Sequence, residues 1–204
     1  MTYSETILDY WFDGLNDQAL IDLESSTVKR WFSGEEATDR EIRERFEEDH
    51  LQAARGEYKD WGDTPRGRLA LVILLDQFPR NLYRNSPKAF ATDPMALNLC
   101  SRSMEDGFDE PLALIERTFL YMPLMHAESV ERQEKCKQQF SLLMELAKER
   151  SPLNVGYFTY SHEFAVKHAV IIERFGRFPH RNAILGRPST PEEIEFLKGP
   201  DSSF

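Results

Sequence analysis

Two segments of the sequence place arginines within two residues of a Phe-Pro pair, at Phe78-Pro79 and at Phe178-Pro179. Neither segment contains an acidic residue, from position 80 to 88 or from 174 to 187. Arginine is used in preference to lysine, and its planar guanidinium suits bidentate binding of a carboxylate or phosphate. If the two segments meet in the fold, they would form a cationic pocket. The candidate ligand-binding arginines are Arg80, Arg84, Arg177, Arg181 and Arg187.

The same arginines also have a purely structural explanation. Proline lacks an N–H and clashes with the preceding turn, so each apolar helix is predicted to end near Phe78 and Phe178. The unpaired carbonyls at a helix end attract nearby cations. Asp76 and Glu173 lie beside these ends as candidate ion-pair partners. Both interpretations remain open: a small-anion site, or ion pairs that hold the fold together.

Two histidines are candidate acid–base groups. His180 lies between Pro179 and Arg181 in a predicted loop and is the stronger candidate. His126 is the second, and Asp76 or Glu116 would orient the imidazole or contribute to a ligand site.

No metal or cofactor is expected. His162 and His168 are six residues apart, which separates them by about 120° around a helix and prevents one face from presenting both to a metal. His168 lies among apolar residues and is more typical of a hydrogen-bonded core histidine. Phosphate-binding and dinucleotide-binding glycine motifs are absent from the sequence.

Composition excludes several classes of protein. The 204-residue chain is 41% hydrophobic and carries a net charge of −10, which argues against disorder and against wholesale binding to nucleic acid or an anionic membrane. Its longest aliphatic run, 69–75, is far shorter than the ~20 residues of a membrane helix. The first residues lack the features of a signal peptide. A cytoplasmic protein is expected.

Helix signals dominate the sequence, and no β alternation bounded by hairpin turns is present. They predict an all-α protein with one domain over 1–204 and about seven antiparallel helices. The apolar stretch after Thr64-Pro65 has no polar side and is predicted to be a central, buried helix. Predicted helix starts are Thr2 with Glu5, Thr38 with Glu41, Thr64-Pro65, Asp93-Pro94, Asp109 with Pro111, Ser129, and Thr190 with Glu193.

Three long motifs occur in a fixed order: "RGRLALVILLDQFPRNLYR", "ERTFLYMPLMHAES" and "RFGRFPHRNAILGR". With the "ILDYWF" start and the "GEYKDW" segment, they make nearly the whole chain resemble the uncharacterised bacterial family known as domain of unknown function 924. This resemblance implies an all-α fold similar to tetratricopeptide-like helical arrays. It brings no established activity and no catalytic residues.

Three functional hypotheses follow from these patterns. The protein binds a small anionic ligand through the arginines, or it is an enzyme that acts on such a ligand with His180 or His126. Alternatively, it is a helical scaffold that holds a protein partner, and its arginines are architectural. Ligand-induced stabilisation separates the first two hypotheses from the third.

Overall fold

The computed structural model describes residues 3–200, 202 and 203, and these residues are helical or irregular with no strand. The all-α prediction is therefore confirmed. The described residues form ten α-helical segments: α1 Tyr3–Phe12, α2 Ser26–Phe32, α3 Glu36–Ala54, α4 Pro65–Val72, α5 Phe78–Leu82, α6 Asp93–Glu105, α7 Leu114–His126, α8 Val130–Arg150, α9 Val155–Phe175 and α10 Pro191–Phe196. Several of them are short, and α4 and α5 belong to one continuous helix. Within the described range, no helix is long and apolar enough to cross a membrane.

Side-chain caps begin three helices where the sequence predicts them. The Thr64 hydroxyl accepts a hydrogen bond from the Gly67 amide at 3.1 Å, at the start of α4. Ser129 caps α8 in the same way. At α10, Thr190 and Glu193 form the reciprocal capping box, with distances of 3.2 and 2.7 Å. These local signals are reliable because each satisfies backbone N–H groups that the helix itself leaves unpaired.

Two other predicted helix starts are shifted in the structure, and one includes a residue that the structure does not describe. Thr38 is inside α3, which begins two residues earlier at Glu36. The helix predicted from Asp109 and Pro111 begins at Leu114, because the Glu116 carboxylate accepts the Ala113 amide there at 3.0 Å. Thr2, half of the box predicted for α1, lies outside the described residues.

The core is built around α7. Every residue of this helix from Leu114 to Met125 is buried. The ring of Phe119 packs edge-on against Trp11 of α1, with 5.6 Å between centroids, and Trp11 contacts Phe78 at 5.4 Å. The stretch 69–75 is also buried, as predicted from its lack of a polar side. Because α7 is enclosed, polar side chains at its C-terminal end are held in fixed positions.

The helix that begins with α4 does not end at Phe78, so the prediction of a proline stop is wrong there. It passes through a π-helical segment, Ile73–Gln77, and continues as α5 to Leu82. The Phe78 amide donates to the Ile73 carbonyl, five residues back. This wider turn changes the direction of the side chains that follow α4, and π-helical turns often occur at functional sites.

Side chains from other elements supply donors to the two carbonyls that Pro79 and the π-helical hydrogen bond of Phe78 leave open. The Leu74 carbonyl accepts a hydrogen bond from His50 Nδ1 at 2.9 Å, and the Leu75 carbonyl accepts one from Thr92 Oγ1 at 2.6 Å. Since both carbonyls are satisfied, the chain continues as a helix past the proline. At the second Phe-Pro pair the helix does stop: α9 ends at Phe175, and Gly176 follows in the left-handed conformation at φ 67°.

Candidate functional site

The two Phe-Pro segments meet in space at the N-terminal end of α6. Arg80 binds the Asp93 carboxylate through two nitrogens, at 2.6 and 3.0 Å. Arg181 Nη1 lies 3.8 Å from the same carboxylate. The ring of Phe90 lies beneath both guanidinium groups, 5.4 Å from that of Arg80 and 4.7 Å from that of Arg181. Asp93 therefore links the segments, although its sequence context suggests only a helix start.

A carboxylate–histidine pair lies next to these arginines. The π-helical segment places Asp76 in the interior with none of its side chain exposed, and the end of α7 brings His126 to it. His126 Nδ1 lies 2.8 Å from Asp76 Oδ1. Gln77 Nε2 donates to the other carboxylate oxygen at 2.5 Å, and Arg80 Nη2 lies 3.6 Å from Oδ1. We call Asp76, Arg80, Asp93, His126 and Arg181 the central cluster.

The electrostatics of this pair favour a charged carboxylate. Burial raises the pKa of Asp76, but its interactions with His126 and Arg80 outweigh burial and hold the pKa below its usual range. An ionised Asp76 can only accept hydrogen bonds, so the Nδ1 of His126 that faces it carries a proton. The His126 side chain is 19% exposed, and its Nε2 makes no hydrogen bond within the described part of the chain. That nitrogen is therefore available as an acceptor.

Arg181 is buried with incomplete pairing. Its Nη1 donates to the main-chain carbonyl of His126 at 3.0 Å, while its Nε is buried and has no hydrogen-bond partner in the described residues. The guanidinium lies 4.5 Å from the ring centroid of Phe178, and the side chain is 8% exposed. Burial, reinforced by the charge of Arg80, lowers the pKa of Arg181 to about 10. The group is still charged at neutral pH.

The other three predicted arginines are engaged by carboxylates from distant parts of the chain. Each binds both oxygens of one carboxylate, a geometry that fixes its orientation. Arg84 binds Asp39 at 2.7 and 2.7 Å, Arg177 binds Glu193 at 2.6 and 2.8 Å, and Arg187 binds Glu128 at 2.6 and 2.9 Å. These contacts match the architectural interpretation, because they tie α3, α10 and the start of α8 to the arginine-rich segments.

Glu116 lies at the opposite end of α7 from His126. It forms an ion pair with Arg66, which also binds Glu5 at 2.7 Å. Clefts of about 350 and 580 Å³ open beside this group; Pro111 lines both, and Trp61 lines the larger one. The geometry therefore does not bring Glu116 to either candidate histidine, and the clefts are separate from the central cluster.

His180 lies against an aromatic ring. Its ring lies 5.6 Å from that of Phe178. Burial, followed by the charge of Arg181, lowers the pKa of His180 to about 4, so the residue is neutral and weakly basic at pH 7. Asp76 binds His126 instead. Among the two predicted histidines, His126 has the arrangement that acid–base chemistry needs. The described residues contain no group of three or more His, Cys, Asp or Glu side chains that could hold a metal ion.

Comparison with known proteins places the chain in a family. The model of a family described as bacterial protein of unknown function (DUF924) matches residues 7–201. The chain belongs to this family. The solved structure of a protein of unknown function from Agrobacterium tumefaciens is similar, with 34% sequence identity and a TM-score of 0.77 over 96% of this chain and 97% of that one. No curated protein matches.

Proposed function

We propose that the protein binds a small anion, a phosphate or a carboxylate, at the central cluster. One observation carries the proposal: among the five predicted arginines, Arg181 makes no hydrogen bond to a carboxylate of the residues that the structure describes. Arg80, which shares Asp93 with it, forms the second cationic wall of the site. The proposal includes a cytoplasmic location, which rests on the sequence features described above.

A buried cation without a complete set of acceptors is unfavourable, because burial removes the water that would otherwise bind its N–H groups. The nearest carboxylate, on Asp93, is already bound by Arg80 through both oxygens and lies 3.8 Å from Arg181. An anion bound at Arg181 Nε and the adjacent Nη would supply the missing acceptors. This edge of the guanidinium matches the spacing of two carboxylate or phosphate oxygens. Ligand binding would thus remove an electrostatic penalty of the free protein.

A thermal-shift titration with inorganic phosphate at low ionic strength tests the proposal. At phosphate a hundredfold above its dissociation constant, binding adds about 2.7 kcal/mol of stability. This corresponds to a rise in Tm on the order of 5–10 °C for a domain of this size. Arg181→Gln is expected to lose the rise. Arg84→Gln is the matched control, since it removes an ion pair with Asp39 outside the central cluster and is expected to keep the rise.

Potassium chloride of equal ionic strength corrects for general salt effects. Succinate in place of phosphate compares the two ligand classes. Circular dichroism establishes that Arg181→Gln is folded, and Arg181→Lys serves as a second variant that keeps the charge but loses the bidentate edge. Equal Tm shifts in the wild type and in both Arg181 variants, or no shift in the folded wild type, would overturn the proposal.

A further inference from the structure

We propose that His126 is a general base and that the protein hydrolyses carboxylic esters that carry a second, anionic group. The inference rests on the proposed anion binding and adds a reaction to it. It comes from three features of the central cluster: a buried carboxylate on one nitrogen of the imidazole, an open second nitrogen, and a buried arginine that contacts the same histidine.

The Asp76–His126 pair has the arrangement of a general base with its positioning carboxylate. The Nδ1–H of His126 donates to the buried Asp76 at 2.8 Å, which leaves the lone pair on Nε2. In histidine-dependent hydrolases such a carboxylate holds the reactive tautomer and stabilises the imidazolium that forms. Gln77 Nε2, 2.5 Å from the second carboxylate oxygen, further restricts Asp76. His126 is thus the catalytic residue, and Asp76 is a positioning residue.

Water is the nucleophile, because the hydroxyl groups nearest in sequence to Asp93 and His126 have structural roles. The Thr92 hydroxyl donates to the Leu75 carbonyl at 2.6 Å, and the Ser129 hydroxyl caps α8. Within the described residues, Nε2 of His126 has no hydrogen bond to a hydroxyl or thiol. A catalytic serine or cysteine would be expected within about 2.6–3.2 Å of its base.

The reaction is balanced by water alone. His126 Nε2 takes a proton from water as the water oxygen bonds to the ester carbonyl carbon, and the carbonyl electron pair moves onto its oxygen. When this intermediate collapses, the C–O bond to the alcohol breaks. The departing oxygen takes the proton from Nε2, which regenerates the neutral imidazole. The products are a carboxylic acid and an alcohol.

Arg181 defines the class of substrate. Its Nη1 lies 3.0 Å from the carbonyl oxygen of His126, so an anion on this arginine is held beside the residue whose side chain is the base. The anionic group of the substrate is therefore expected only a few bonds from its ester carbonyl. This fixed placement is the main source of rate enhancement when a single base activates water.

A carboxylic ester fits this cluster better than a phosphate ester as the reacting group. Phosphoryl transfer depends on strong neutralisation of the transferred group, usually by metal ions and unpaired cations. Here the charges of Arg80 and Arg181 are already partly balanced by Asp76 and Asp93. Attack of water on a neutral acyl carbon needs less neutralisation by cations and depends more on removal of a proton from the water, which His126 provides as the general base.

Hydrolysis of two matched chromogenic esters tests the inference. The probes are ortho-nitrophenyl acetate and acetoxynitrobenzoate, the same ester with a ring carboxylate. We expect the wild type to hydrolyse the carboxylated ester faster than the neutral one, and excess phosphate to inhibit this reaction. His126→Asn is expected to lower kcat by about 10²–10⁴-fold. The control His162→Asn changes a partly exposed histidine of α9 and is expected to leave the rate unchanged.

Asp76→Asn separates a positioning role from a structural one. We expect kcat to fall at least tenfold and its pH profile to change, with KM for the carboxylated ester little altered because Arg181 still binds the anion. The imidazole ¹H–¹⁵N NMR spectrum of the wild type gives a readout that needs no substrate. It should show the neutral tautomer of His126 with the proton on Nδ1. A proton on Nε2 would overturn the inference even if Asp76→Asn fails to fold.

The outcomes distinguish this inference from the proposed function. Three results would overturn the catalytic inference. They are a hydrolysis rate no higher than that of buffer alone, equal rates for the carboxylated and the neutral ester, and an unchanged rate in His126→Asn. If phosphate still raises the Tm of the same preparation in an Arg181-dependent way, the anion site stands without the reaction. If neither phosphate binding nor hydrolysis is observed, both proposals fall.

Discussion

At the residue scale, the arginines differ in what the fold places around them. Arg84, Arg177 and Arg187 each bind both oxygens of one carboxylate, whereas Arg181 is buried on aromatic rings and bonded to a main-chain carbonyl. Because each of these guanidinium groups is held by both oxygens of its carboxylate, the three pairs fix the arginine-rich segments against the rest of the fold. Arg181 differs because its buried Nε has no acceptor among the described residues. One residue type thus has two physical roles in this protein.

His168 makes a specific pH dependence of stability testable. It is buried, its Nδ1 donates to the Phe164 carbonyl at 2.8 Å, and its ring lies 5.6 Å from that of Phe178. Burial lowers the pKa of His168 to about 3, despite the opposite effect of the Phe164 carbonyl. Between this value and the ordinary histidine pKa, the unfolded chain binds one proton more than the folded protein. Stability contributed by His168 is therefore present at neutral pH and is lost as pH falls below ~6.5.

Urea denaturation of the wild type and of His168→Leu at pH 7 and pH 5 measures this effect. The free energy of unfolding of the wild type should fall by about 2 kcal/mol more than that of the variant, from a slope of about 1.4 kcal/mol per pH unit. His162→Leu, at a partly exposed histidine, is the control and should behave as the wild type does. An equal fall in the wild type and His168→Leu would contradict the assignment of a neutral core histidine.

Sequence reasoning found most members of the central cluster but could not pair them. Arg80, Arg181, Asp76 and His126 were all identifiable by residue type and local context. Their arrangement was not, because Asp76 and His126 are 50 residues apart in the chain. The preference for His180 over His126 rested on its basic neighbours in a loop. In the fold, burial and the charge of Arg181 lower the pKa of His180, while the orienting carboxylate belongs to His126.

At the element scale, the passage of a helix through Pro79 depends on two side chains from outside it. A prolyl residue inside a helix removes a donor and usually kinks or ends the helix. Here the helix widens into the π-helical segment Ile73–Gln77 just before the proline. His50 and Thr92 supply the donors for the Leu74 and Leu75 carbonyls that are left open. The same segment turns Asp76 into the interior. The sequence pattern predicted the apolar helix but not its continuation, because the compensating donors come from other parts of the chain.

Thr92→Val tests this explanation. Valine keeps the shape of threonine but leaves the buried Leu75 carbonyl without a donor, so we expect a loss of about 1–3 kcal/mol of stability in urea denaturation. Thr118→Val is the matched control. Thr118 is also buried, but its hydroxyl donates to the Leu114 carbonyl at 3.1 Å in the ordinary manner of a helical threonine, four residues back. Equal losses in the two variants would contradict the special role of Thr92.

At the scale of the whole molecule, α7 connects the core with the central cluster. Its buried side chains belong to one hydrophobic cluster that includes residues from Ile7 of α1 to Ala165 of α9. Enclosure of the helix fixes His126 at its C-terminal end, where the arginine-rich segments converge. The single domain over 1–204 and the tetratricopeptide-like packing stay predictions, since they were inferred from pattern and family resemblance. The all-α class needed only local helix signals, which explains why it was predictable.

A crystal structure of the protein grown in phosphate at low ionic strength would reveal whether the central cluster is an anion site. We predict a phosphate ion bound by two nitrogens of Arg181, Nε among them, with an oxygen within hydrogen-bond distance of His126 Nε2. Arg84, Arg177 and Arg187 should keep their carboxylate partners. A structure in which Arg181 closes onto Asp93 and phosphate binds only elsewhere would contradict the proposed anion site.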